Sequence, residues 1–138
     1  MLIWLILVPV IAAACIGLLK TPGRLTALIS AVISLILGGF AVLAPDCCSE
    51  CLTSFCGTPM QLTLGLPLSR IMVLLAILVT FAAVCGMKAP DANAERSWAI
   101  SALLISTGAI GAFMSDSIIS FYGFHELALI PTFVMIGY

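Results

Sequence analysis

The strongest constraint in this sequence is the placement of its few charges. They divide the chain into five long apolar runs: Leu2–Leu19, Leu25–Leu43, Ser69–Met87, Ser97–Met114 and Ser117–Tyr138. The first, second and fourth carry no charge; the third holds Arg70 at its edge, and the fifth holds His125 and Glu126. Each run has about the 20 residues that carry a helix across a bilayer. In hydrocarbon the backbone must satisfy its own hydrogen bonds, which leaves only helices and closed barrels. The runs lack the period-2 alternation of a barrel strand, so they predict an all-α, polytopic bundle of five transmembrane spans forming one membrane domain, 1–138. Composition agrees. Charged residues make up 8% of the chain and hydrophobic ones 63%, whereas an ordinary soluble domain is roughly 25% charged. A water-soluble domain is excluded, as is a disordered chain. Five Lys/Arg give no basic footprint for nucleic acid. The first run has no basic segment ahead of it, so it reads as a span and not as a signal peptide.

The connections are uneven. Residues 20–24 form a tight Pro-Gly turn, 88–96 are short and polar, and Ser115-Asp116 is barely a turn whose Ser or Asp is expected to cap the last helix. Residues 44–68 are the long connection. Within it Met60, Leu62, Leu64 and Leu66 alternate with other residues at strand spacing, so the loop is expected to lie folded on the membrane surface. Lys20, Arg24, Lys88 and Arg96 fall on the first and third connections. The positive-inside rule then places 20–24 and 88–96 in the cytoplasm of a cell with this chain in its inner (plasma) membrane. The N-terminus and the 44–68 loop face outward, and Arg70 snorkels to the outer interface.

Four of the six cysteines, Cys47, Cys48, Cys51 and Cys56, crowd the outward loop; Cys15 and Cys85 lie in spans. An oxidising compartment favours disulfides among the four, with the pairing left open. Adjacent Cys47 and Cys48 fit zinc spacing poorly, so no metal site is expected. Cys48-Ser49-Glu50-Cys51 is also a C-x-x-C element of the kind used in thiol redox chemistry. Small residues mark two helix faces: Ser30, Ser34 and Gly38, with Ala27 and Ala31 beside them, on span two, and Ser97, Ser101, Thr107, Gly108, Gly111, Ala112 and Ser115 on span four. Such faces let helices approach closely in lipid. A hydrophilic channel lined by these Ser and Thr is the competing reading.

Glu126 is the most informative residue. It lies near the middle of the last run, where a charged side chain costs at least about 2.5–3.5 kcal/mol on insertion scales, which makes it a functional candidate by default. A carboxyl able to hold and release a proton at that depth is what a proton relay needs. Pro131 has no N–H, so the Leu127 carbonyl loses its helical partner and a kink is expected beside Glu126. Gly123, three residues earlier, leaves room by the carboxyl; Tyr122, four residues earlier, is placed to hydrogen-bond to it. His125 is about 100° round the helix and points elsewhere. Its expected role is a packed side chain or a proton carrier.

The stretch Phe121-Tyr122-Gly123-Phe124-His125-Glu126-Leu127-Ala128-Leu129-Ile130-Pro131-Thr132-Phe133 resembles the fifth-span motif of the antiporter-like membrane subunits of respiratory complex I, NADH–quinone oxidoreductase. Leu-Ile-Pro after the Glu points to the subunit M (chain 4) type. Ser115-Asp116-Ser117 and Leu68-Ser69 followed by Met72 also resemble family positions. Departures are Leu66-Pro67 in place of the family's Asp-Gly, Arg70 in place of an apolar residue, His125 in place of an aromatic, and the cysteine cluster. Family members have many more spans and pair the Glu with a lysine on a later one; Lys20 and Lys88 here lie in connections. The resemblance therefore implies the N-terminal part of a proton-translocating subunit. Such a chain is enzymatic only within NADH:quinone oxidoreductase, is partnered by the other membrane subunits and the bilayer, and binds no cofactor itself. NADH, FMN, iron–sulfur clusters and quinone are then expected in other subunits. A related cation/proton antiporter or membrane-hydrogenase subunit would share the Glu. A small membrane thiol oxidoreductase using Cys48 and Cys51 is the alternative from another class.

Overall fold

All five apolar runs are helices in the computed structural model, which describes residues 2–19, 22–43, 49–55, 58–88 and 91–136. The order is α1 (Leu2–Leu19), α2 (Gly23–Leu43), β1 (Ser49–Phe55), β2 (Thr58–Thr63), α3 (Pro67–Gly86), α4 (Ala92–Met114) and α5 (Ile118–Ile136). Helices α2 to α5 are each long and apolar enough to cross a membrane, and α1 is apolar throughout. The chain is a multi-pass membrane protein.

Helix boundaries follow local chemistry. Pro67 opens α3 at its first turn, where a missing N–H is harmless and the fixed φ is already helical. Helix α4 starts five residues before the apolar run, with Asp91 at its N-cap position. The polar segment through Glu95 and Arg96 continues the helix beyond the apolar stretch. The cap of α5 departs from expectation. Ser117, not Ser115 or Asp116, holds it: its Oγ accepts the Ser120 N–H at 3.2 Å and its carbonyl accepts the Phe121 N–H at 2.9 Å. Ser115 instead ends α4, its hydroxyl donating to the Gly111 carbonyl at 2.7 Å.

Helix α4 touches all four other helices, whereas α5 rests mainly on α4. The consequence is a steep gradient of burial, with 50% of α4's apolar stretch inside the bundle but only 11% of α5's. Two apolar clusters fill the bundle. One, near the hairpin, joins Leu2, Leu5, Val73, Ile77, Ile110 and Met114 with Leu62 and Leu64. The other, at the opposite end, joins Ala12, Ile16, Ala27, Val84, Ala99 and Leu103.

The long connection is an antiparallel hairpin. Cys51 sits opposite Gln61, and a bulge falls between Cys51 and Thr53. The alternation expected from sequence is realised in part. Leu62 and Leu64 are buried in the bundle end, while Leu66 is exposed where α3 begins. Arg70 is turned onto this segment, its Nε donating to the Leu64 carbonyl at 2.8 Å.

The connections segregate as a five-span topology requires. The first and third meet at one end, where the Arg24 backbone N–H donates to Glu95 Oε1 at 2.9 Å and Arg24 Nη2 to the Cys85 carbonyl at 3.4 Å. The second and fourth meet at the other. There the Asp116 N–H donates to the Gln61 carbonyl at 3.2 Å and Leu62 bridges to Ser115.

Candidate functional site around Glu126

The rotation of α5 about its axis is set by small residues on α4. A Cβ added to Gly108 would lie 2.7 Å from both the Ala128 Cβ and the Phe124 carbonyl oxygen, and one added to Gly111 would strike the Phe124 ring. Close backbone approach at such faces is how helices associate without a hydrophobic driving force. Phe124 and Ala128 therefore face α4, and Ser120 and Pro131 are buried.

At 100° per residue, Glu126 falls half a turn away from the Phe124–Ala128 face. It is exposed, with Tyr122, Ile130 and Phe133 also exposed on that side of the helix. The carboxyl thus points away from the bundle formed by α1 to α4. No hydrogen bond joins it to Tyr122 among the described residues: the expected i−4 pair is not made, and both side chains are turned outward. Gly123 does leave open space, with nothing within 4 Å of an added Cβ. A shallow groove of about 190 Å³ runs beside it, lined by Ser120, Gly123, Phe124 and Leu127.

His125 is exposed and points away from Glu126, as its spacing predicts. It stacks on Phe121 with ring centroids 6.0 Å apart and planes at 20°. Pro131 lies within α5, which is helical on both sides of it from Ile118 to Ile136. The ring nonetheless leaves the Leu127 carbonyl without an i+4 donor. One turn on, the Thr132 hydroxyl donates to the Ala128 carbonyl at 2.7 Å. Pro131 itself packs beside Ser101 and Leu104 of α4.

The remaining candidates are apart from this site. Cys51 lies in β1, at the end of the bundle where the hairpin meets the α4–α5 turn. Cys47, Cys48 and Cys56 fall outside the described residues, and the disulfide and thiol-redox expectations fall there with them. Cys15 and Cys85 are free thiols in α1 and α3. Among the described residues no three His, Cys, Asp or Glu side chains gather to hold a metal. The sequence marks Glu126 and the small face of α4 that carries Gly108 and Gly111, but not that Phe124 is what packs there. The signal was present in the small face of α4, yet the partner of that face was not readable from spacing.

Chemically, the site offers one carboxyl on a membrane-length helix, a carbonyl released by Pro131 one residue away in sequence, and neither Lys nor Arg on α5, whose His125 points away. It can take up or release one proton.

No protein-family model matches the chain, and no curated protein matches it. Among solved structures it is similar to a chain of the membrane-bound sulfane sulfur reductase, an archaeal respiratory membrane complex. The identity is 25%, the TM-score 0.79, and the match covers 96% of this chain and 22% of that one. The similarity thus extends over nearly all of this sequence, which spans less than a quarter of the solved chain's length.

Proposed function

We propose that this chain is the N-terminal part of a proton-translocating membrane subunit in a complex I-type respiratory enzyme, with Glu126 as a proton-carrying residue. The observation that carries the reading is the direction of Glu126. A membrane helix that turns its one carboxyl to lipid loses roughly 2.5–3.5 kcal/mol or more. The face bearing Tyr122, Glu126 and Phe133 is therefore a protein-facing surface in the working assembly, to be covered by membrane segments that supply a hydrogen-bond partner. The likeness to a chain of a respiratory membrane complex supports the same reading, as does the motif running from Phe121 to Phe133.

In this account redox chemistry takes place in other subunits, where NADH, flavin, iron–sulfur clusters and quinone act. This chain contributes the carboxyl, the helix that aims it and the bundle that holds that helix. The connections at 20–24 and 88–96 face the cytoplasm, and the hairpin faces outward. Electron transfer alters the charge or hydration beside Glu126, and the carboxyl's proton affinity responds. A cation/proton antiporter or hydrogenase subunit would use Glu126 in the same way; supplying the assembled enzyme with NADH and quinone, and assaying electron transfer, separates these. The test of the role itself is Glu126→Gln in the assembled complex. Proton translocation is abolished while assembly survives. Normal translocation by that variant overturns the proposal.

A further inference from the structure

Arg70 is the one charge in the third apolar run, and proton transfer at Glu126 makes no use of it. The other four basic residues, Lys20, Arg24, Lys88 and Arg96, fall on the connections at the opposite end of the bundle. Arg70 lies in the first turns of α3, half-buried, with its Nε–H donated to the Leu64 carbonyl at 2.8 Å. That bond holds a permanently charged guanidinium at the hairpin end of the helix.

Below it the seam between α2 and α3 opens. Leu35 and Gly39 of α2 and Leu74, Ile77 and Leu78 of α3 line a groove of about 250 Å³. Two adjacent glycines divide the work. A Cβ added to Gly38 would strike the Ile77 side chain, so Gly38 lets the helices meet; one added to Gly39 would meet nothing within 4 Å, so Gly39 leaves a notch beside that contact. Leu74, Ile77 and Leu78 follow Arg70 by four, seven and eight residues, the spacing of one helix face. Helical side chains lean toward the N-terminus, which stands the Arg70 stem over the mouth of the groove. From Arg70 to Leu78 is about 12 Å at 1.5 Å per residue, within the roughly 15 Å of hydrocarbon in one leaflet.

The shape and chemistry select the occupant. A packed membrane helix needs small residues over several turns. Gly39 is flanked one turn away on either side by Leu35 and Leu43, which are 38% and 82% exposed. A one-residue notch between leucines admits a hydrocarbon chain but not a helix about 10 Å across. Every lining residue is Leu, Ile or Gly, so the groove takes hydrocarbon, while the guanidinium at its mouth pairs with phosphate. A hydrocarbon chain joined to an anionic phosphate head is a phospholipid.

We propose that the α2–α3 groove binds one acyl chain of an anionic phospholipid, drawn from the leaflet on the hairpin side, with the lipid phosphate held at Arg70. The site uses no residue of α5 and stands or falls apart from the role of Glu126.

The experiment is photo-crosslinking of the assembled complex in phosphatidylcholine vesicles. The vesicles carry a trace of phosphatidylglycerol or phosphatidylcholine with a diazirine in one acyl chain, and labelled residues are mapped by mass spectrometry. The phosphatidylglycerol probe is expected to label the groove residues about fivefold more than the phosphatidylcholine probe, the preference one basic side chain gives for an anionic lipid. At Leu25, exposed on α2 near the other end, the two probes should label alike. Arg70→Gln brings phosphatidylglycerol labelling of the groove down to the phosphatidylcholine level. Gly39→Leu fills the notch and lowers groove labelling by both probes while Leu25 labelling holds; it leaves Arg70 and its bond to Leu64 untouched, so the test does not depend on the arginine variant folding. Equal labelling of the groove by the two probes in the native chain overturns the proposal. So does a preference that survives Arg70→Gln, labelling that survives Gly39→Leu, or a groove that neither lipid reaches because another membrane segment covers it.

Discussion

Replacing Gly108 by Ala puts one methyl where α4 and α5 meet backbone to backbone. The new carbon would lie 2.7 Å from the Phe124 carbonyl oxygen, 2.7 Å from the Ala128 Cβ and 2.9 Å from the Ala128 nitrogen. Carbon contacts are relaxed at about 3.5–4.0 Å, so α5 must retreat by roughly 0.8–1.3 Å. None of the three atoms is the end of a flexible side chain, and such overpacking costs about 1–3 kcal/mol. Against this, Ala is up to about 1 kcal/mol better than Gly inside a helix. Gly39 on α2 provides the control, because an added Cβ there meets nothing within 4 Å and the propensity gain is the same. The difference between Gly108→Ala and Gly39→Ala isolates the packing cost: about 1–3 kcal/mol, or roughly 5- to 150-fold in the unfolding equilibrium. Reversible unfolding of both variants in mixed micelles, followed by circular dichroism, measures it. Gly111→Ala should fall between them, since the Phe124 ring it strikes can swing aside. Equal midpoints for Gly108→Ala and Gly39→Ala would refute the close α4–α5 packing and, with it, the direction assigned to Glu126.

Ser117→Ala removes the cap of α5 and is expected to cost about 1 kcal/mol, read as faster hydrogen exchange at Ser120. Asp116→Ala should leave that amide unchanged. Leu62→Ala empties a buried position in the bundle end and should cost about 2–5 kcal/mol, whereas Leu66→Ala, at an exposed one, should stay within about 0.5 kcal/mol; unfolding midpoints compare the two. Glu95→Gln weakens the acceptor for the Arg24 N–H at the start of α2, an effect of about 0.3–1 kcal/mol that salt should diminish, measurable as faster exchange of the Arg24 amide.

The spans were legible because lipid leaves the backbone so little choice. A run of about 20 apolar residues must be helical if it crosses, and the pairing of connections at each end follows from there being five such runs. Boundaries were less legible. Counting uncharged residues placed the fourth span at Ser97, yet the helix begins at Ala92, since Glu95 and Arg96 suit a helix once it has left the hydrocarbon. The cap of α5 was misplaced because Ser115, Asp116 and Ser117 are all good caps. Only the hairpin, which takes the Asp116 N–H through Gln61, decides which of them stays outside the helix. Glu126 stood out by chemistry alone. Its direction did not, because that depends on which neighbour fills the small face of α4. The answer, Phe124 and Ala128, is a tertiary fact. Nor did spacing show which hydroxyls would bond to their own helix: Thr26 and Ser30 sit one turn apart on α2 and behave differently.

The proposed role of Glu126 is to carry protons through the membrane. The most direct measurement is the number of protons moved per electron transferred, in sealed vesicles holding the assembled complex with native chain or with Glu126→Gln. A proton-carrying Glu126 predicts a variant that assembles yet no longer translocates protons. An unchanged ratio in a fully assembled variant would contradict it.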